Sequence, residues 1–337
     1  MSDFEISSYS PQDDADALAL EAQCVQGTSL RLKFRRPNFG ARSELYENHR
    51  IYCARRGAEL IGIIAGALKD VKLHGTTVRA LYIYDLRVHP AHRRMGVGKR
   101  LTDVLIKDLG RDADCLYTLI NGENNKALAL ACRNFAPQAV IPLTYCLIPV
   151  YKKRKEQANW KSETAKNVHD AFLKRKKSLE FLSVFNEVKL AGHVMSLELK
   201  GQARAGCSIW TNEELLAEQV TRIPFRLKVV RVLSRLLKPV IKFPHIPAKD
   251  EIMPSWFLFD LHAEDVRSLR SLLAAVNNQA LARGRTYLYI LFQDTDPLLQ
   301  QMRDAGLRHF TFPYRFLARG RAFPRKSDCI YIDIRDL

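Results

Sequence analysis

Long apolar runs are missing from this 337-residue chain. The longest, residues 60–68, contains Gly62 and Gly66. A membrane-spanning helix needs roughly 18 apolar residues, so this run reads as a buried strand. Cysteine pairs at metal-ligand spacing are missing too. Seven cysteines stand at 24, 53, 115, 132, 146, 207 and 329, an odd number with no CxxC. That pattern argues against a disulfide framework and against a zinc site. Most of them lie in apolar runs and read as small core residues. The opening Met1-Ser2-Asp3-Phe4-Glu5 lacks the basic start of a secretory signal. The expectation is a soluble, cytoplasmic protein. A Walker-type GxxxxGKS/T loop is absent. Acidic residues are absent from 220–249, a stretch that carries eight basic ones.

What is present is core-forming sequence and positive charge. The chain is 47% hydrophobic and 26% charged, enough for one large domain or two ordinary ones. Lys and Arg number 53 against 36 Asp and Glu, a formal charge of +17. Such an excess favours anionic partners: phosphates, nucleic acid or a lipid surface.

Periodicity organises the chain. Residues 4–9 alternate as a first strand, and Ser10-Pro11-Gln12-Asp13 opens a helix toward Cys24. Residues 27–48 are basic and irregular. Residues 49–54 and 59–68 form a hairpin around Arg56-Gly57, and 78–88 is a long strand. Val97, Leu101, Val104, Leu105 and Leu109 write one face of a helix that Gly110 closes. A strand at 115–120, a helix opened by Asn124-Asn125 and a strand at 140–150 follow. Residues 151–180 read as a charged linker or surface helix. From 181 the element order repeats, with a hairpin at 193–211, a strand at 256–261, a helix at 265–282 and strands at 286–292, 309–317 and 329–334. The expectation is a mixed α/β fold in two units of one kind, residues 1–150 and 181–337, the second lacking the first one's Gly-rich turn.

The informative stretch is Leu86-Arg87-Val88-His89-Pro90-Ala91-His92-Arg93-Arg94-Met95-Gly96-Val97-Gly98-Lys99. A strand runs into an RxxGxG turn and straight into an amphipathic helix. Glycines let backbone amides converge without Cβ obstruction. The helix start adds free N–H groups and the positive dipole end. Together these make a diphosphate cradle. No acidic residue stands at a strand end about 20 positions on, so a dinucleotide fold fits poorly.

On these residues the chain resembles the GNAT superfamily of acyl-CoA-dependent N-acyltransferases. A second mark, Asn-x-x-Ala, fits Asn124-Asn125-Lys126-Ala127 within one residue of register. The order of several short stretches also resembles the plant hookless-type N-acetyltransferases: 86–101, 123–127, 148–151, 207–210 and 238–247. The resemblance implies tandem GNAT-like acyl-CoA N-acyltransferase domains, the second degenerate. It implies acetyl-CoA or another acyl-CoA as co-substrate. Leu86, Arg87 and Val88 would hold pantetheine through backbone. Arg93, Arg94, Met95, Gly96, Val97, Gly98 and Lys99 would hold diphosphate, with Asn124 and Asn125 beside them. The acceptor would be an amine, on a small molecule or a protein.

Acyl transfer needs a base for the amine and a donor for the leaving thiolate. Tyr82 and Tyr84 occupy positions where related enzymes often carry Glu or His, and Asp85 and Glu123 are alternative bases. Alternation puts Tyr82, Tyr84, Leu86 and Val88 on one face and Asp85 and Arg87 on the other, unless a bulge intervenes. The family's usual Tyr acid is missing: Ala131 or Cys132 stands there, and Cys132 reads as a core thiol. CoA binding without transfer is the alternative, as is a basic nucleic-acid or membrane-surface binder. No reading motif or aromatic platform supports nucleic acid. A basic amphipathic helix at 225–238 reads either as docked on the second unit or, with the stretch to 242, as a contact for an anionic surface. The basic loop 27–48 suggests an acceptor bearing carboxylate or phosphate. His89 and His92 have no Cys or carboxylate at ligand spacing, so no metal is expected. The chain is read as a monomer or homodimer.

Overall fold

The computed structural model describes residues 4–24, 31–156, 160–176, 179–183, 194–199, 205–237 and 242–337. The strands are β1 (Glu5–Ser8), β2 (Arg31–Arg35), β3 (Asn48–Arg56), β4 (Glu59–Leu73), β5 (Thr76–Val88), β6 (Cys115–Asn121), β7 (Ala139–Pro149), β8 (Trp160–Glu163), β9 (Leu179–Glu180), β10 (Leu182–Ser183), β11 (Val194–Leu199), β12 (Ala205–Trp210), β13 (Ala217–Arg222), β14 (Ser255–Ala263), β15 (Tyr287–Gln293), β16 (Phe310–Gly320) and β17 (Cys329–Ile330). The helices are α1 (Asp14–Gln23), α2 (Val97–Leu109), α3 (Asn125–Phe135), α4 (Ala165–Arg175), α5 (Phe225–Leu237), α6 (Val266–Ala282) and α7 (Pro297–Asp304). Among the described residues, no helix is long and apolar enough to cross a membrane.

One large sheet carries the fold, in the order β1-β3-β4-β5-β6-β16-β7-β15-β14-β12-β11-β8. The repeated element order becomes a near-symmetric sheet whose halves exchange their last strands. β7 leaves β6 and pairs antiparallel with β15, from Leu143↔Gln293 to Pro149↔Tyr287. β16 returns to fill the gap, antiparallel to both β6 and β7. The expected surface helix is α4, whose Val168 and Phe172 are buried. The expected hairpin is β11–β12; its turn lies outside the described residues. The basic loop forms β2, which pairs with β13 of the second half, and a short helical stretch at Phe39–Leu45; residues 27–30 lie outside the described residues.

Two glycines fix how α2 sits on the sheet. A Cβ on Gly62 would stand 2.7 Å from Val97 Cγ1, and one on Gly66 2.7 Å from Leu105 Cδ2. Bare backbone on β4 therefore lets the stripe Val97, Leu101, Leu105 and Leu109 press onto the strand. Gly62→Ala is expected to cost about 1–3 kcal/mol by overpacking. It also displaces Val97, the first residue of α2. Denaturant unfolding and CoA titration together check this: both stability and affinity fall.

Both halves carry the same bulge. Ile63 pairs with Arg87 and Ala65 with Tyr84, so Asp85 and Leu86 stand opposite Ile64 alone. Gly206 pairs with His262 and Ser208 with Phe259, so Asp260 and Leu261 stand opposite Cys207. Asp85 and Asp260 each have φ +51°. Asp tolerates this left-handed backbone better than most residues. After the bulge the halves differ. Eight residues, 89–96, separate β5 from α2, whereas only Glu264 and Asp265 separate β14 from α6.

Candidate functional site

β5 and β6 run parallel and pair only from Ala80↔Cys115 to Tyr82↔Tyr117. The bulge then turns β5 away while β6 stays paired with β16 as far as Asn121. The backbone of Ile83–Val88 is thus an edge beside a wedge-shaped opening. The bulge also shifts the side chains. Tyr82 and Tyr84 pack into the core on one face. Leu86 and Val88 pack with α2 on the other. Unbroken alternation put all four on one face; the extra residue is the reason for the change.

The turn completes the opening. Arg93, Arg94, Met95 and Gly96 are exposed, and Val97 and Gly98 are buried. Arg94 and Gly96 have φ +70° and +81°, a backbone that favours glycine at the second position. Gly96 is the N-cap of α2, and the Arg100 N–H donates to its carbonyl at 3.0 Å. The amides of Val97, Gly98 and Lys99 therefore sit in the first turn, where a helix offers no internal acceptor. A Cβ on Gly98 would stand 3.3 Å from Leu130 and 3.5 Å from Val88, so glycine lets β5, α2 and α3 meet. A Cβ on Gly96 would meet nothing within 4 Å. That open side, ringed by exposed Arg93, Arg94 and Lys99, fits an extended diphosphate. Asn124 caps α3: its side chain accepts the Ala127 N–H at 3.1 Å, and Asn125 is the first helical residue. Lys99 pairs with Asp103, and Arg100 lies over the Phe4 ring.

The catalytic candidates occupy less open places. Tyr82 stacks on Tyr84 and on Tyr117, each at 4.8 Å. The Tyr84 hydroxyl donates to Ser43 Oγ at 2.8 Å, and Tyr82 donates to the Asp336 carbonyl. Burial pushes both phenols well above their ordinary value, so they remain protonated and are no bases at neutral pH. Asp85 is buried against Arg36 at 2.9 Å, Arg87 at 3.2 Å and Arg42 at 3.5 Å. Burial alone would raise its carboxyl; the three guanidiniums outweigh it and hold it well below the usual carboxylate range. Asp85 therefore serves as an anchor that is charged at neutral pH, and as a poor proton acceptor. Glu123 is exposed beyond β6, its N–H donating to Asn121 Oδ1 at 2.9 Å. Cys132 is exposed as well, not in the core.

Sequence reasoning offered Arg87 or Arg79 as a partner for Asp85, and Arg87 is one; it missed the long-range charges around this face. Arg36 pairs with Glu21 and Asp85, and Arg42 with Asp85, Tyr82 and the Asp336 carbonyl. Both arginines are buried, so the basic loop spends them inside and does not present them to an acceptor. The Asp336 carboxylate takes bonds from Lys69 at 2.7 Å, Tyr46 at 3.0 Å and Tyr117 at 3.2 Å. A residue of the second half thus closes the tyrosine face of the first. The fold also supplies the carboxylate that spacing near the histidines did not show. Glu59, His89 and His92 offer ligand atoms within 4.8 Å of one another. There His92 Nε2 bonds the Glu59 carboxylate at 3.1 Å.

The wedge of the second half is filled by the chain itself. Asp260 N–H donates to the Tyr331 hydroxyl at 2.8 Å, and Ile330 N–H to Gln293 Oε1 at 2.7 Å. What remains is a cavity of about 20 Å³, room for about one water.

Residues 19–135 match the acetyltransferase (GNAT) family. Bulge, wedge and turn all lie inside that span. This stretch therefore has the fold of a GNAT domain, within a larger mixed α/β chain. Solved structures extend the likeness beyond this GNAT domain. A Saccharomyces cerevisiae N-myristoyltransferase with bound myristoyl-CoA aligns at TM-score 0.62 and 11% identity, covering 95% of this chain and 83% of that one. A second N-myristoyltransferase structure from the same yeast, with myristoyl-CoA and inhibitors, gives 0.60 and 13%, covering 99% and 85%. A GCN5-related glucosamine N-acetyltransferase region of a fungal multi-domain β-N-acetylglucosaminidase gives 0.60 and 14%, covering 95% and 38%. These likenesses concern the fold. No curated protein matches the chain in sequence.

Proposed function

We propose that the protein is an acyl-CoA-dependent N-acyltransferase that moves an acetyl group from acetyl-CoA to an amine by direct attack in a ternary complex. The observation that carries this is the bulge at Asp85, which frees one edge of β5 just before a helix N-terminus with an open glycine. The β5 edge at Leu86, Arg87 and Val88, which β6 leaves unpaired, suits the amide groups of pantetheine. The turn from Arg93 to Lys99 suits the diphosphate, with Asn124 and Asn125 beside it. A β5 amide near Arg87 or Val88 would polarise the thioester carbonyl. Stacked Tyr82, Tyr84 and Tyr117 fill the face of β5 opposite α2 and favour a short acyl group. In this reading residues 1–150 are the catalytic unit, 151–180 a connector, and 181–337 a degenerate copy whose own wedge is closed. The motif order also supports kinship with plant hookless-type N-acetyltransferases.

CoA binding without transfer is favoured by one observation: the Tyr82 and Tyr84 hydroxyls are both engaged elsewhere. Calorimetry with acetyl-CoA and thiol release across a panel of primary amines decide between the two. The expected result is saturable binding and amine-dependent CoA release, greater with acetyl-CoA than with myristoyl-CoA. Binding with no release for any amine favours the second reading. Absence of binding removes both.

A further inference from the structure

Helix α5 presents its apolar side to solvent. Phe225, Val229, Val232, Leu233 and Leu236 recur at three- and four-residue spacing and are 78%, 42%, 58%, 51% and 71% exposed. Val230 and Leu237 widen the stripe. The opposite side meets the protein: Leu227 packs against the core, and Arg231 and Ser234 are half-buried. A helix that merely completed the second half would turn its leucines and valines inward. This one turns them out, and exposed patches of this kind mark interaction sites.

Charge narrows the partner. Arg226 and Lys228 are exposed on the helix and Lys242 beyond it. No acidic residue occurs between 219 and 249. We infer that α5 is a membrane-surface helix, laying its aliphatic stripe into an anionic bilayer with the basic side chains at the headgroups. A large apolar stripe beside Lys and Arg is the signature of such interfacial helices. A two-fold contact between copies would set Arg226, Lys228 and Lys242 against themselves, since the same patch meets itself in such interfaces. Nucleic acid would draw on the charges and leave six aliphatic side chains in water, with Phe225 as the helix's one aromatic ring.

The test is co-sedimentation of the full chain with vesicles of phosphatidylcholine, alone or mixed with phosphatidylserine, at about 0.1 M salt. Binding is expected only to the mixed vesicles. Val232→Glu/Leu236→Glu should weaken it by about tenfold per side chain, with an unchanged melting temperature because both sites are exposed. Arg226→Gln and Lys228→Gln should each weaken it about fivefold. Failure of the wild type to sediment with anionic vesicles overturns the proposal, as does sedimentation that the double Glu variant retains. A lipid-free dimer abolished by the same double change would assign the face to a second copy. Binding to duplex DNA in place of vesicles would assign it to nucleic acid.

Discussion

Asp85→Asn should lower the stability of the fold by about 3–5 kcal/mol, the usual cost of leaving buried charges without their counterion. The substitution keeps the shape of the side chain. It also keeps the backbone, because Asn accepts the φ of +51° that the bulge imposes. What is lost is the negative charge facing Arg36, Arg42 and Arg87. Glu21 still pairs with Arg36 and reaches Arg87 at 3.6 Å, so Arg42 bears most of the loss. The pH dependence follows from a folded carboxyl held well below its unfolded value near 3.9. Such a group contributes fully above the unfolded value, and its contribution fades as pH falls toward the folded one. Chemical unfolding of wild type and variant should therefore show a constant gap from pH 8 to about 5, closing below about 4. A gap under 1 kcal/mol at pH 7, or one that grows on acidification, would show that the arginines do not depend on Asp85.

That hub explains what the sequence could and could not tell. Local pattern was enough for α2 and its turn: the stripe from Val97 to Leu109 has a period of its own, and Gly96 and Gly98 stand where the backbone needs them. Gly62 and Gly66 read only as part of a buried strand, and it took the fold to show that their bare backbone admits α2. The bulge left no trace either, because alternation through Tyr82, Tyr84, Leu86 and Val88 reads the same with or without an extra residue. Ion pairs of long range were equally hidden. Arg36 meets Asp85 across 49 residues, and Lys69 meets Asp336 across 267. One clue was available: Asp85 is an acid inside an apolar strand, and buried acids need cations. The exchange of β7 and β16 depends on how two halves close one sheet, which no window of sequence contains. The outward stripe of α5 was visible as amphipathicity, but its direction required the neighbouring core.

Gly96→Glu is expected to abolish most CoA affinity, raising the dissociation constant by roughly 100-fold through like-charge repulsion in a small site. Two effects must be separated. Any side chain at φ +81° carries a strain of about 1–2 kcal/mol. Gly96→Ala measures that strain alone, because a Cβ there meets no atom within 4 Å. Gly57→Ala is the control elsewhere: its φ is +58°, its surroundings are equally open, and it lies in the turn between β3 and β4. Both alanine variants should lose similar stability, and only the one at 96 should bind CoA less well. The further loss on going from Ala to Glu is electrostatic. A carboxylate at the mouth of α2 satisfies the helix dipole that the diphosphate would otherwise satisfy, and repels the diphosphate itself. That increment should shrink as salt rises, while the Ala effect should not. Equal dissociation constants for wild type and Gly96→Glu would mean that the amides of Val97, Gly98 and Lys99 do not hold the diphosphate, and the site would have to be sought elsewhere on the sheet.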